Sequence, residues 1–71
     1  MRRPQVLVAH ERPGVCRVVA RVLEQEGFAA AMAHDGTSAL AKLSASPWDA
    51  LVVDVALPDI PGYELCERAR A

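Results

Sequence analysis

An open α/β fold on a small parallel sheet is what this sequence predicts, with strand, helix, strand, helix, strand, helix in order along 71 residues. Three observations carry the prediction. Short continuous apolar runs recur between turn-forming residues, as strands covered on both faces require. Between them lie stretches with apolar residues at helical spacing. The last apolar run, Ala50 to Val53, delivers a carboxylate, Asp54, into a loop punctuated by Pro58, Pro61 and Gly62. A charge inside a sheet costs free energy, so Asp54 belongs at the strand's exit, within reach of water or a metal.

The first strand is Gln5-Val6-Leu7-Val8-Ala9, which breaks into His10-Glu11-Arg12-Pro13-Gly14. Pro13 suits a first helical turn, where its missing N–H does no harm. Val15, Val18, Val19 and Val22 then recur at helical spacing, with Leu23 widening the stripe and Arg17, Arg21 and Glu24 on the other side. Valines are mediocre helix formers, so packing must hold this helix. Gly27 is a suitable residue just past its end.

Phe28-Ala29-Ala30-Ala31-Met32-Ala33 is ambiguous locally, because alanine favours helix. Gly27 before it and Asp35-Gly36 after it leave room only for a short strand, and the alternating rhythm asks for one. Thr37 or Asp35 can cap a second helix with Ala39, Leu40 and Leu43 on one face, ended by Ser44 to Pro47. After the third strand, Tyr63, Leu65, Cys66 and Ala69 start another amphipathic helix with Glu64, Glu67, Arg68 and Arg70 as its polar face. Glu64 and Arg68 stand i,i+4 in the favourable order.

Parallel strands need crossovers, and these are right-handed. With the first strand central, the spatial order is 2-1-3. The first helix covers one face, and the second and third cover the other. The crossovers diverge between strands 1 and 3, and open α/β sheets bind ligands in the crevice at that point. His10 and Glu11 follow strand 1 and Asp54 ends strand 3, so the topology brings Glu11 and Asp54 together. Two carboxylates there can hold a hard divalent cation such as Mg²⁺.

Composition narrows the rest. Eight basic residues against nine acidic ones, a net charge of −1, give no electrostatic case for nucleic acid. No apolar run is long enough to span a bilayer, and the N-terminus enters a strand in place of a signal-peptide core, so cytoplasm is the expected location. Cys16 and Cys66 lack CxxC or Cys/His spacing and read as small apolar helix residues.

These residues together resemble the N-terminal part of a response-regulator receiver domain of two-component signalling. Val6-Leu7-Val8-Ala9-His10-Glu11-Arg12-Pro13 stands where the family has its first strand and acidic pocket. Gly27-Phe28 and Asp35-Gly36 match its Gly-aromatic and Asp-Gly landmarks. Pro47-Trp48-Asp49-Ala50-Leu51-Val52-Val53-Asp54 resembles the strand leading to the phosphoacceptor. Val55-Ala56-Leu57-Pro58-Asp59-Ile60-Pro61-Gly62 resembles the loop after it. The resemblance implies a flavodoxin-like fold in which residues 1–71 form a partial receiver, β1-α1-β2-α2-β3-α3, lacking the family's β4-α4-β5-α5. It implies Asp54 as the phosphoacceptor. The implied Mg²⁺ ligands are Glu11, Asp54, the backbone carbonyl of Ala56 and, at the acidic-pocket position, His10. It also implies a sensor histidine kinase or phosphotransfer protein as partner, and a signalling module in place of an enzyme.

Three departures bear on that expectation. His10-Glu11 replaces an acidic pair, removing one charge and lengthening the other carboxylate, which weakens or reshapes metal binding. Pro61 stands where the family is usually acidic, and with Pro58 it stiffens the loop. After Asp54 there is no Ser, Thr or Lys, and the only lysine is Lys42. The family's fourth-strand hydroxyl, fifth-strand lysine and switch aromatic have no counterpart, so phosphorylation-driven switching in this chain alone is not expected. An open third-strand edge and an uncovered first helix would favour self-association. The alternatives are a degenerate, phosphorylation-independent receiver that works by dimerising or docking, and a metal-dependent phosphatase using Asp54. The phosphatase is disfavoured because Ala56 stands where a second acid would help.

Overall fold

The computed structural model describes residues 3–53, 57–60, 64, 67 and 68. Its centre is strand β1 (Gln5–Ala9), in which Val6, Leu7, Val8 and Ala9 are all buried. Because strand side chains alternate, the two faces recruit separate cores. Leu7 and Ala9 join Ala33, Ala39 and Leu57 on one face, while Val6 and Val8 join Cys16 on the other. The continuous apolar run thus reads out as a strand covered on both sides.

Helix α1 (Pro13–Gln25) begins with Pro13 in its first turn, and the Cys16 amide donates to the Arg12 carbonyl. Its buried face is not the valine stripe expected from the sequence. Cys16 and Ala20 are buried, with Val19 and Leu23 packed alongside, whereas Val15, Val18 and Val22 are exposed, Val18 by 64%. Positions 15, 18 and 22 and positions 16, 19, 20 and 23 form adjacent stripes of the same period. Periodicity cannot choose between them. The stripe with the smaller residues lets the helix approach the sheet closely.

The helix ends as Gly27 predicts, at φ +94°. The Gly27 amide donates to the Glu24 carbonyl and the Phe28 amide to the Leu23 carbonyl, which is the paired closure of a Schellman motif. Phe28 and Leu23 both pack on the Val6–Val8–Cys16 core.

The alanine-rich segment is a strand, β2 (Ala29–Ala33), paired in parallel along its length with β1. Tertiary pairing overrides alanine's helical preference. Helix α2 (Gly36–Ala45) buries Ala39 and packs Leu40 and Leu43 on the Leu7 core. Asp35, and not Thr37, is its cap: the carboxylate accepts the Ser38 amide at 2.6 Å. At the other end the Trp48 indole donates to the Lys42 carbonyl at 2.8 Å, occupying one of the helix's terminal acceptors.

Strand β3 (Ala50–Val53) pairs in parallel with β1 from Val6↔Ala50 to Ala9↔Val53, giving the predicted order β2-β1-β3. Asp49 sets the register: its amide donates to the Gln5 carbonyl at 2.8 Å and its carboxylate accepts the Gln5 amide at 2.6 Å. β3 is less buried than its apolar sequence suggests. Leu51 and Val53 face the Leu7 core, while Val52 on the other face is 43% exposed. Most of the third predicted helix lies outside the described residues. Glu64, Glu67 and Arg68 are helical, and the predicted Glu64–Arg68 ion pair is present at 3.0 Å. It is exposed and contributes a few tenths of a kcal/mol at most.

Candidate site at the strand ends

The parallel sheet directs three chain exits to one edge. Ala9 pairs with Val53 and with Ala33, so β1, β2 and β3 end side by side. His10-Glu11 follows β1 and His34-Asp35 follows β2. Asp54 and Ala56, the expected acceptor and carbonyl ligand, lie outside the described residues, and the register stops one residue short of Asp54.

His10 is built into the backbone network of this edge. Its amide donates to the Ala33 carbonyl at 3.0 Å, and its carbonyl accepts from His34 Nδ1 at 3.2 Å. A carbonyl only accepts, so His34 carries its proton on Nδ1. His10 Nδ1 in turn accepts the Arg12 amide at 3.1 Å. That bond uses the Nδ1 lone pair. The Nδ1 atom of His10 is thus engaged with the chain's own backbone. Glu11 is exposed beside it and supplies carboxylate oxygens, the donor type a hard cation takes. No cluster of three or more His, Cys, Asp or Glu side chains suited to a metal occurs among the described residues.

Past the undescribed segment the chain is anchored again. Leu57 is buried in the Leu7 core. The Asp59 carboxylate accepts the Gly36 amide at 2.6 Å, the Thr37 amide at 2.9 Å and the Thr37 hydroxyl at 2.6 Å, and it also takes the Ile60 amide at 2.9 Å. Asp59 and Asp35 between them therefore occupy the amides of Gly36, Thr37 and Ser38, the orphan donors of the first turn of α2. The hydroxyl of Thr37 and then the amides of Gly36 and Thr37 hold the Asp59 carboxyl well below the usual carboxylate range. Asp59 carried no role in the sequence reading. The available signal was an acidic residue between two prolines, with an Asp-Gly-Thr helix start elsewhere in the chain to receive it.

On the opposite face of β1, the Cys16 thiol donates to the Val8 carbonyl at 3.2 Å. Burial pushes this thiol up from its ordinary value, and hydrogen bonding around it offsets part of that. A groove of about 590 Å³ between Leu43, Trp48, Asp49 and Arg68 lies at the other end of the sheet. Ligands of open α/β sheets bind at the strands' carboxyl ends, so this groove is not the candidate site. No helix among the described residues is long and apolar enough to cross a membrane.

Comparison with known proteins bears on the same edge. A family model of the response regulator receiver domain matches residues 6–71. The transcriptional regulatory protein TcrA of Mycobacterium tuberculosis is 38% identical over 66 residues, covering 93% of this chain and 26% of that protein. CreB of Escherichia coli is 35% identical over 71 residues, 100% of this chain and 31% of that protein. The chain thus spans between a quarter and a third of these relatives. Among solved structures, a CheY-like receiver domain from Methylobacillus flagellatus superposes with a TM-score of 0.94 at 31% identity, over 99% of this chain and 59% of that one. TrrA from Thermotoga maritima, in complex with Mg²⁺ and BeF, superposes at 0.90 with 27% identity, over 94% of this chain and 58% of that one.

Proposed function

Since the chain belongs to the response regulator receiver domain family, we propose that it is a phosphoacceptor of a two-component phosphorelay with Asp54 as the acceptor. The observation that carries this is the pairing of Ala9 with Val53, which sets the residue before His10-Glu11 beside the residue before Asp54 at the sheet's switch point. A carboxylate oxygen of Asp54 attacks the donor's phosphorus. An acyl phosphate forms as the bond from phosphorus to the donor's leaving atom breaks, and the leaving group takes the electron pair. Mg²⁺, when bound, offsets charge on the transferring oxygens. Glu11, Asp54 and the carbonyl of Ala56 are its proposed ligands, and His10 serves as a backbone and turn residue beside them. The donor is a sensor histidine kinase or phosphotransfer protein, and the setting is the cytoplasm.

The test is direct. Incubation with Mg²⁺ and acetyl phosphate should give a phosphoryl adduct by intact mass, lost in Asp54→Asn and with chelator. A folded protein that takes no adduct, or an Asp54→Asn variant that still takes it, would end the proposal.

One observation favours a second reading, in which the chain docks without phosphorylation. β3 is an edge of the described sheet, and Val52 on it is exposed. Such an edge can add a strand from another copy. Size exclusion over a concentration series would then show a dimer that Val52→Lys disperses, and a monomer at every concentration would refute it.

A further inference from the structure

Strand β3 ends at Val53, held by its pairing to Ala9, and the described chain resumes at Leu57, buried in the core. Two residues later Asp59 spends its carboxylate on the start of α2, and Ile60 lies so close to Gly36 that a side chain there would have no room. The described chain on the far side of Asp54 is therefore held by Leu57 from the core side and by Asp59 from the helix side.

We propose that Asp59 is a positioning residue for Asp54, tying the segment after β3 to the N-terminus of α2 so that the two are held as one body. The proposal rests on the reading of Asp54 as acceptor. Four hydrogen bonds converge on a single carboxylate. Three come from α2, separated from it by 22 or 23 residues, and one comes from its own loop. Both carboxylates cap α2, Asp35 through the Ser38 amide from the helix's own entrance and Asp59 through the Gly36 and Thr37 amides. What Asp59 adds is the link between two segments.

That comparison also supplies the control, because Asp35→Ala removes a cap from the same helix without touching the loop. Phosphoryl incorporation from acetyl phosphate should be followed as a function of Mg²⁺ at a temperature where every variant is folded. Asp59→Ala should slow incorporation by roughly tenfold to a hundredfold, the scale of a misplaced reacting group. Asp59→Asn, which keeps one acceptor oxygen, should fall between it and wild type. Asp35→Ala should incorporate within about twofold of wild type, since the loop's own anchors remain. Equal losses in Asp35→Ala and Asp59→Ala would overturn the proposal, as would an unaltered rate in Asp59→Ala. Amide hydrogen exchange, read without a phosphodonor, separates this from the acceptor reading. If wild type takes no phosphoryl, the acceptor reading fails. The tie is then judged on exchange at residues 57–60. Faster exchange there in Asp59→Ala alone supports it, and unchanged exchange overturns it.

Discussion

Asp59 accepts the Gly36 amide at 2.6 Å across 23 residues of sequence, and the same approach leaves Gly36 no space for a side chain. A Cβ on Gly36 would stand 2.5 Å from Ile60 Cβ, 2.9 Å from its Cγ1 and 3.0 Å from Asp59 Oδ1. The Asp-Gly pair that the sequence presents as a turn landmark is therefore a docking point. Asp35 supplies a cap, and Gly36 supplies the clearance through which a distant carboxylate reaches the helix. Gly36→Ala should push Ile60 and Asp59 off the helix and destabilise the protein by about 1–3 kcal/mol, the usual cost of overpacking. Urea denaturation would read this as a lower midpoint at unchanged slope. An unchanged midpoint would show that the loop yields freely.

The Asp59 carboxyl gives this contact a pH dependence of definite sign. Its folded value lies below the ordinary 3.8 because every partner is a donor that favours the ionised form. The native state therefore holds the proton less tightly than the unfolded chain does. Stability from this group is present above the unfolded value and is lost as pH falls through the folded one. Wild type and Asp59→Asn, compared by thermal melting, should differ by a constant amount above about pH 5 and converge in stronger acid. A difference that persists unchanged to the lowest accessible pH would mean that charge is not what Asp59 contributes.

Much of this fold is legible locally, and the failures are of particular kinds. β1 and β3 follow from short apolar runs, and the end of α1 follows from Gly27, because each signal lies within a few residues of the feature it determines. The order 2-1-3 follows once β1 is central, and crossover handedness then assigns the helices to faces. The face of α1 does not follow, since Val15, Val18 and Val22 share a period with Cys16, Val19, Ala20 and Leu23 and are the more apolar set. Burial went to the residues that fit close to the sheet. The choice between Asp35 and Thr37 as cap was open because both are good caps. Asp35 stands before the first helical residue and accepts the Ser38 amide, while the Thr37 hydroxyl donates to Asp59. His10 reads from sequence as an acidic-pocket substitute, and its turn with the Arg12 amide is visible only in three dimensions.

Gly27 offers a test of one local signal. At φ +94° with nothing within 4 Å of a built Cβ, the obstacle to substitution is backbone strain and not crowding. Gly27→Ala should cost about 1–2 kcal/mol, the penalty of a left-handed residue bearing a Cβ. Gly27→Asn should cost less, because asparagine tolerates that region. Equal losses in the two variants, measured by urea denaturation, would point to an unrecognised contact at this turn.

The last prediction concerns Cys16, read from the sequence as a small apolar helix residue and buried where α1 meets β1. The thiol is inaccessible, donates to the Val8 carbonyl and has its ionisation pushed up by burial. Alkylation proceeds through the thiolate, so exposure and ionisation both oppose it in the folded state. At neutral pH, Cys16 should react with iodoacetamide only as fast as the protein opens, and the rate should rise with urea along the unfolding curve. Peptide mapping separates its adduct from that of Cys66. The raised value also fixes a sign: stability from the neutral thiol is full below the unfolded value of 9.0 and declines as pH rises through the folded one. Rapid modification of Cys16 in the folded protein would place α1 farther from the sheet than the Val8 hydrogen bond allows. The stripe that packs against β1 would then have to be reassigned.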